Sequence, residues 1–552
     1  MAIFNAKLIL CASAALSYVL VQHGSDSLPL PLRTSYVGVF AQLSLVQFAA
    51  LFIYALFLKP YWLSPLTKLP QPKGGGLLNG HFKTIYSSGA GETEKKWFHE
   101  IQNDGLIYYR GLLNNANVIV TSPDTLQEVL TRTYEFPKPV GIIYMVGRVL
   151  GIGLVLSEGD VHKQQRRTFL PAFAPRHVRD MYPIFWTKAC EAVTKLTDMG
   201  NGEQLEFEVG HWASRTAMDI ITMAMMGKDF GAIADVNSPL SKVYRALLEP
   251  TRAFLVLAMM KAFFPAPLVD RLPVKWNRWM DEAVATIRGT CRGMLREKKQ
   301  KLAEKSLLEK DFLSIAVQYE DIAQVSEDGV IDQLTNALGA GHETISVAIT
   351  WVVYMLCVHP EWQTRLREEV RTHFPSPADL AETGREAAAS DVDNMPLLQA
   401  FINETLRRFP PVPVTARWAT NDSIIAGQFI PKNTRLAIPI KAVNWDKRLW
   451  GPDAHEFKPE RWLNPDGKLS ATGGANSKYS NLTFLQGTRA CVAQILVKAE
   501  MACVIGSWVG RFDFSLVDET LLDEANMKIS GGSLSGKPLD GLHVKARVVQ
   551  GW

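Results

Sequence analysis

The chain has 552 residues, 47% of them hydrophobic and 21% charged, with a formal net charge of +4. That is the composition of a globular protein with a sizeable core, and so small a charge on this length argues against nucleic acid as a partner. The six cysteines (Cys11, Cys190, Cys291, Cys357, Cys491, Cys503) are scattered with no CxxC pair, which argues against a zinc cluster or a disulfide framework and suits a reducing compartment.

The N-terminus departs from this average. No formal charge occurs from Leu8 to Ser25, and none in the 25 residues from Thr34 to Leu58, a run closed by Lys59. The second run is long enough to cross a bilayer, predicting a helix over 36–58. The first, about 8–25, reads as a second span or as a signal-peptide core behind Lys7, and a buried core helix is the alternative for both. Lys59, Lys68 and Lys73 follow the second run, while the connecting loop carries only Asp26 and Arg33. The positive-inside bias then places everything after Lys59 in the cytosol. Leu69-Pro70-Gln71-Pro72-Lys73-Gly74-Gly75-Gly76 breaks any helix and reads as a stiff, then flexible hinge. The expected organisation is an anchor over 1–60, a hinge over 61–80 and one catalytic body over 81–552.

Within that body, helical periodicity dominates at 181–197, 280–305, 331–357, 362–374 and 397–409. Short strand-like runs lie at 106–109, 118–120, 423–424, 435–440 and 542–549. Helices with small flanking sheets predict a mainly α fold of the α+β class.

Six motifs carry chemistry. Gly159 to Arg167 opens a helix that puts His162 and Arg166, four apart, on one face, either as cations for a bound carboxylate or as a solvated basic surface. Ala340-Gly341-His342-Glu343-Thr344 lies inside a long apolar helical run, where an acid beside a hydroxyl is costly without a purpose. Gly339, Ala340 and Gly341 would let a flat cofactor approach the backbone, with Thr344 and Glu343 moving protons. The plainer alternative is an exposed acidic stripe with a threonine bonding back to its own turn. Glu404 and Arg407 sit at i and i+3, and Arg461 of Phe457-Lys458-Pro459-Glu460-Arg461 can complete a buried Glu–Arg–Arg network. Arg417 is a further candidate cation. Last comes Phe484-Leu485-Gln486-Gly487-Thr488-Arg489-Ala490-Cys491. Gly487 permits a sharp turn, Phe484 can shield the sulfur, Arg489 can pair with a haem carboxylate, and Cys491 reads as an axial thiolate on haem iron. A buried free cysteine is the alternative.

Taken in this order, over residues 69–549, these motifs resemble a cytochrome P450. The resemblance implies haem b with Cys491 as proximal ligand, O2 bound against Gly341 and Thr344, and electrons from NADPH through a separate reductase, with cytochrome b5 as a possible second donor. It departs from the usual pattern twice: Ala493 stands where the family has Gly, and His162 where it has Trp. Only 61 residues follow Cys491, so no fused reductase is expected. The implied activity is insertion of one oxygen atom into a lipophilic small molecule. The other readings are a haem-thiolate isomerase needing no reductase, and a non-catalytic membrane haem-binding protein. Apolar walls at 137–156, 337–344, 412–416 and 529–534, with a Met-rich stretch at 254–264, suit a substrate entering from membrane lipid. The overall pattern is similar to fungal members of secondary metabolism, anchored in the endoplasmic reticulum.

Overall fold

The computed structural model describes residues 6–23, 36–235, 242–244, 252–304, 306, 311–318, 326–531 and 535–552. Asp26 and Arg33 of the connecting loop, Lys305, residues 532–534 and five side chains of the 254–264 stretch lie outside the described residues.

Two apolar helices come first, α1 (Ala6–His23) and α2 (Tyr36–Ile53). They pack on each other with Ser13 and Ser17 of α1 buried, small side chains that allow close approach. A π-helical segment, Tyr54–Leu63, continues α2 and contains Pro60. The run Tyr36–Lys68 is apolar and long enough to cross a membrane, and 17% of its most apolar window is buried. A later helix, Glu327–Val358, passes the same test with 78% buried, which marks it as a core helix instead.

The end of the N-terminal helical segment is tied to the body. Asn114 donates to the Leu56 carbonyl at 2.8 Å, Tyr108 donates to the Pro60 carbonyl at 3.2 Å, and the Arg110 guanidinium lies 3.7 Å over the Tyr61 ring. The proline-rich segment beyond is held too, its Pro70 carbonyl accepting from the Tyr108 N–H at 2.9 Å.

In the body the main helices, in chain order, are α3 (Val140–Leu150), α4 (Gly159–Phe169), α5 (Tyr182–Met199), α6 (Val209–Met226), α7 (Arg252–Phe263), α8 (Lys275–Ala303), α9 (Glu327–Val358), α10 (Pro360–His373), α11 (Pro396–Arg408) and α12 (Gln494–Arg511). Strands β1 (Leu106–Arg110), β2 (Ala116–Val120), β4 (Thr415–Trp418) and β7 (Arg435–Ile438) form one mixed sheet, ordered β1-β2-β7-β4. Strands β3 (Gln204–Glu208), β8 (Phe512–Leu516) and β9 (His543–Val548) form a second, ordered β3-β9-β8, and β5 (Ser423–Ile425) pairs with β6 (Gln428–Ile430). The expected 435–440 strand stops at Ile438, because Pro439 has no N–H to give the ladder, and a short helix Ile440–Asn444 follows.

Local chemistry sets the helix ends that position the site. Ser326 caps α9 by accepting from the Gly329 N–H at 3.1 Å, with Glu327 and Asp328 in its first turn favoured by the helix dipole. Glu369 of α10 caps α11 from outside, accepting from the N–H groups of Leu397 and Leu398 at 2.9 and 2.8 Å. The second half of α9 is buried almost all round, among α6, α11 and α12.

Candidate active site

The cysteine loop folds on itself before α12 begins. Leu485 has φ 55° and Gly487 φ 80°, so the chain turns twice through the left-handed region. A Cβ on Gly487 would also meet the Leu130 carbonyl at 3.0 Å, so two constraints select glycine there. The Cys491 N–H donates to the Phe484 carbonyl at 2.8 Å, and the Ala490 N–H to the Gly487 carbonyl at 3.1 Å. Arg166 of α4 donates to the Ala490 carbonyl at 2.8 Å, which fixes the residue before the cysteine.

Cys491 is exposed, yet burial pushes its thiol pKa up, against an opposing pull from the Ala493 N–H and the Arg166 charge. The residue is thus accessible while its thiol is surrounded by enough protein to be desolvated.

Basic side chains cluster around this loop. Arg489 donates to the Ser157 carbonyl at 2.8 Å and pairs with Glu158. Lys138 reaches the same carboxylate at 3.2 Å, and burial lowers its pKa to about 8. His162 is buried, and its pKa falls to about 3, first through burial and then through the charges of Arg489, Lys138 and Arg166. Arg417, on β4, is 2% exposed; one of its terminal nitrogens donates to the Ala416 carbonyl at 2.9 Å, while the other is buried without a partner. Burial lowers its pKa to about 10. Among the described residues Glu158 is the one carboxylate at ion-pair distance from this cluster, and it meets only Arg489 and Lys138. A surplus of desolvated positive charge with an unsatisfied donor suits a bound group carrying carboxylates, and haem carries two. The residues therefore fit a haem. Sequence reasoning found four members of this set but missed Lys138 and Glu158; a lysine between Pro137 and Pro139 in an apolar stretch was the available signal.

On α9 the two glycines face close neighbours. A Cβ on Gly341 would meet the Ile221 side chain of α6 at 3.0 Å, and one on Gly339 would meet Leu150 of α3 at 2.1 Å. These glycines let neighbouring side chains come close. Ala337, Ala340 and Thr344 lie half-buried along one face of the same helix. The Thr344 hydroxyl donates to the Ala340 carbonyl at 2.8 Å. Beside it, Glu343 accepts from the Ser535 hydroxyl at 2.7 Å, with the Lys537 ammonium at 4.0 Å, and its second oxygen is buried without a partner. Ser535 and Lys537 come from far along the chain and no sequence pattern pointed to them.

Glu404 of α11 is fully buried and receives Arg407 twice at 2.8 Å, Arg461 at 3.1 Å, the Trp462 indole at 2.9 Å and the Lys458 N–H at 3.0 Å. Hydrogen bonds and charges from Arg407 and Arg461 outweigh burial and lower its pKa. Arg407 in turn donates to the carbonyls of Asn444 and Ala454, both at 2.7 Å, and of Glu456 at 3.0 Å. The network thereby holds the long segment that leads to the cysteine loop.

Residues 70–539 match the family model described as Cytochrome P450. Curated relatives agree. The chain is 47% identical to cytochrome P450 monooxygenase buaD of Petromyces alliaceus, over 97% of each chain. It is 39% identical to cytochrome P450 monooxygenase sphH of Aspergillus fumigatus over 91% of each, and 34% identical to cytochrome P450 monooxygenase FUM15 of Gibberella moniliformis over 90% of this chain and 91% of that one. The chain belongs to the cytochrome P450 family of haem-thiolate monooxygenases.

Proposed function

We propose that the protein hydroxylates or epoxidises a lipophilic small molecule of fungal secondary metabolism, with electrons from NADPH delivered by a separate reductase and, as a second donor, cytochrome b5. The observation that carries the reading is Cys491: an accessible but desolvated thiol on a twice-turned loop, with Arg166 held against the preceding carbonyl. Bound haem supplies the chemistry of O2 activation, one oxygen atom entering the substrate and the other leaving as water.

The chain's own residues bind, orient and deliver protons. Cys491 would hold the haem iron, its thiolate form favoured by the Ala493 N–H and the Arg166 charge. Arg489, Arg417, His162 and Arg166, with Lys138, would hold the two carboxylates of a haem. Phe484 and Gly487 shape the loop around the sulfur. Thr344 offers its hydroxyl beside Ala340, and Glu343, with one oxygen unengaged, passes protons toward it. Gly341 sets the spacing of this helix. The Glu404–Arg407–Arg461 network keeps the loop in place.

Anchoring follows from α2. Its apolar length and the lysines after it, Lys59, Lys68 and Lys73, support a span of the endoplasmic-reticulum membrane with the body in the cytosol. The exposed apolar Val256, Met259 and Phe264, on and just past α7, give a lipophilic substrate a route from lipid.

The test is the reduced, carbon-monoxide-treated spectrum of the full chain. The thiolate signature is expected, together with NADPH consumption that requires reductase. Its absence in the intact protein overturns the reading, and Cys491→Ala must abolish it.

A further inference from the structure

Beside the cysteine loop lies a cavity of about 330 Å³, and of its lining residues only Phe484 has a part in the proposed reaction. Its walls come from α11, the segment 471–481, the loop itself and the first turns of α12. Two lysines, Lys478 and Lys498, line it, together with amide and hydroxyl side chains, and none of its lining residues is acidic. Lys498 is half-buried, with no carboxylate at ion-pair distance among the described residues, and its ammonium lies 5.8 Å from the centre of the Phe484 ring. Burial alone lowers its pKa, to about 8, and no nearby acid offsets this. A desolvated cation without a counter-charge is costly unless something anionic enters.

Size chooses between possible occupants. A single acidic side chain from a partner would fill only a fraction of this space, which falls at the lower end of the range, about 300–1,000 Å³, usual for small-molecule sites. We propose that this cavity is a binding site for a small organic oxyanion, a carboxylate or a phosphate ester, held by Lys498 with Lys478 at the rim. Its walls belong to the machinery of the loop. Phe484 gives the carbonyl that accepts from the Cys491 N–H, Trp462 donates to Glu404, and the Thr483 hydroxyl donates to the Leu406 carbonyl at 2.9 Å. An occupant would therefore press on the segment that carries the thiolate. Only this coupling rests on the haem reading; binding itself does not.

The experiment is calorimetric titration of the full, haem-loaded chain at constant ionic strength, with citrate in one arm and glucose 6-phosphate in the other. Saturable binding is expected in at least one arm, and the arm that saturates tells carboxylate from phosphate ester. Lys498→Gln should weaken it about tenfold or more, as loss of a charge-assisted contact does, while Lys498→Arg retains most of it. The circular dichroism of both variants checks that they fold. No saturable heat in either arm, or equal affinity in Lys498→Gln, overturns the proposal. Lys498 dependence confined to titration with the purified reductase also overturns it, making the cavity a protein contact. A chain without the thiolate spectrum that still binds these anions separates failure of the functional reading from failure of this one.

Discussion

Two glutamates of this molecule, Glu404 buried and Glu343 half-buried, have opposite surroundings. Glu404 is fully enclosed, and every hydrogen bond to it comes from an N–H, four of them from side chains and one from the Lys458 backbone. Glu343 has a hydroxyl on one oxygen, a lysine at 4.0 Å, and nothing on the other oxygen. A carboxylate saturated with donors is locked in charge and position, so it can organise structure but cannot exchange a proton. One that is half-satisfied is free to do so, at a cost in stability. Under the proposed function, the contrast separates the side of the molecule that must stay still from the side that must react.

The largest expected effect breaks the still side. Glu404→Ala strands two buried guanidiniums, and removing one partner of such a network costs about 3–5 kcal/mol. Urea unfolding should show a loss of that size, with poor haem retention. Acidity attacks the same point. The carboxyl pKa of Glu404 is lower folded than unfolded. Its stabilisation is therefore complete above the unfolded pKa, near the ordinary glutamate value, and is lost as pH falls through the folded one. The unfolding midpoint of wild type should drop below about pH 4.3 more steeply than that of the Glu404→Ala variant.

Next comes the reacting side. Glu343→Gln should leave the unfolding midpoint and haem content close to wild type, while turnover falls about 100-fold, some 2.7 kcal/mol, the scale of a lost proton relay. A larger effect on stability than on turnover would reverse the contrast between the two glutamates.

Arg417 tests the cation cluster between them. Its desolvated guanidinium has a donor without an acceptor. Arg417→Met should leave the haem-free protein as stable as wild type or more so, since a buried unpaired donor is removed. Haem should dissociate about tenfold faster, equivalent to about 1.4 kcal/mol. If the variant instead destabilises the haem-free chain, Arg417 is part of the fold alone.

How far the sequence foretold these surroundings depended on whether the cause was local. The core of α9 and the pairing of Glu404 with Arg407 are matters of helical spacing, and spacing is written in the chain. Arg461 came from a motif more than fifty residues on, yet it joins the same carboxylate. By contrast, Ser535 and Glu158 meet their partners only through tertiary folding, and nothing in their immediate sequence announces it, while Lys138 gave only the hint of a lysine between two prolines. Gly339 and Gly341 show a subtler limit. Their small size is visible in the sequence, but the side chains that lie where a Cβ would be, Leu150 and Ile221, are not. Strand β4 was overlooked because four residues holding a buried arginine do not read as a strand.

The smallest expected effects come from removing one donor on each side. Trp462→Phe takes the indole N–H from Glu404, leaving Arg407, Arg461 and the Lys458 N–H in place. The oxygen that loses the indole still accepts from the Arg407 Nε at 2.8 Å, so the cost should be about 1 kcal/mol in unfolding free energy, with turnover unchanged. Ser535→Ala takes the hydroxyl that Glu343 accepts from. Water can reach that region more readily than it can reach Glu404, whose side chain is wholly enclosed, so stability should shift by less than about 0.5 kcal/mol. Turnover should fall severalfold, because Glu343 loses the contact that holds one oxygen in place, and the solvent deuterium isotope effect on turnover should rise. Equal stability losses in the two variants would mean that both carboxylates are structural, and the division of labour between them would fail.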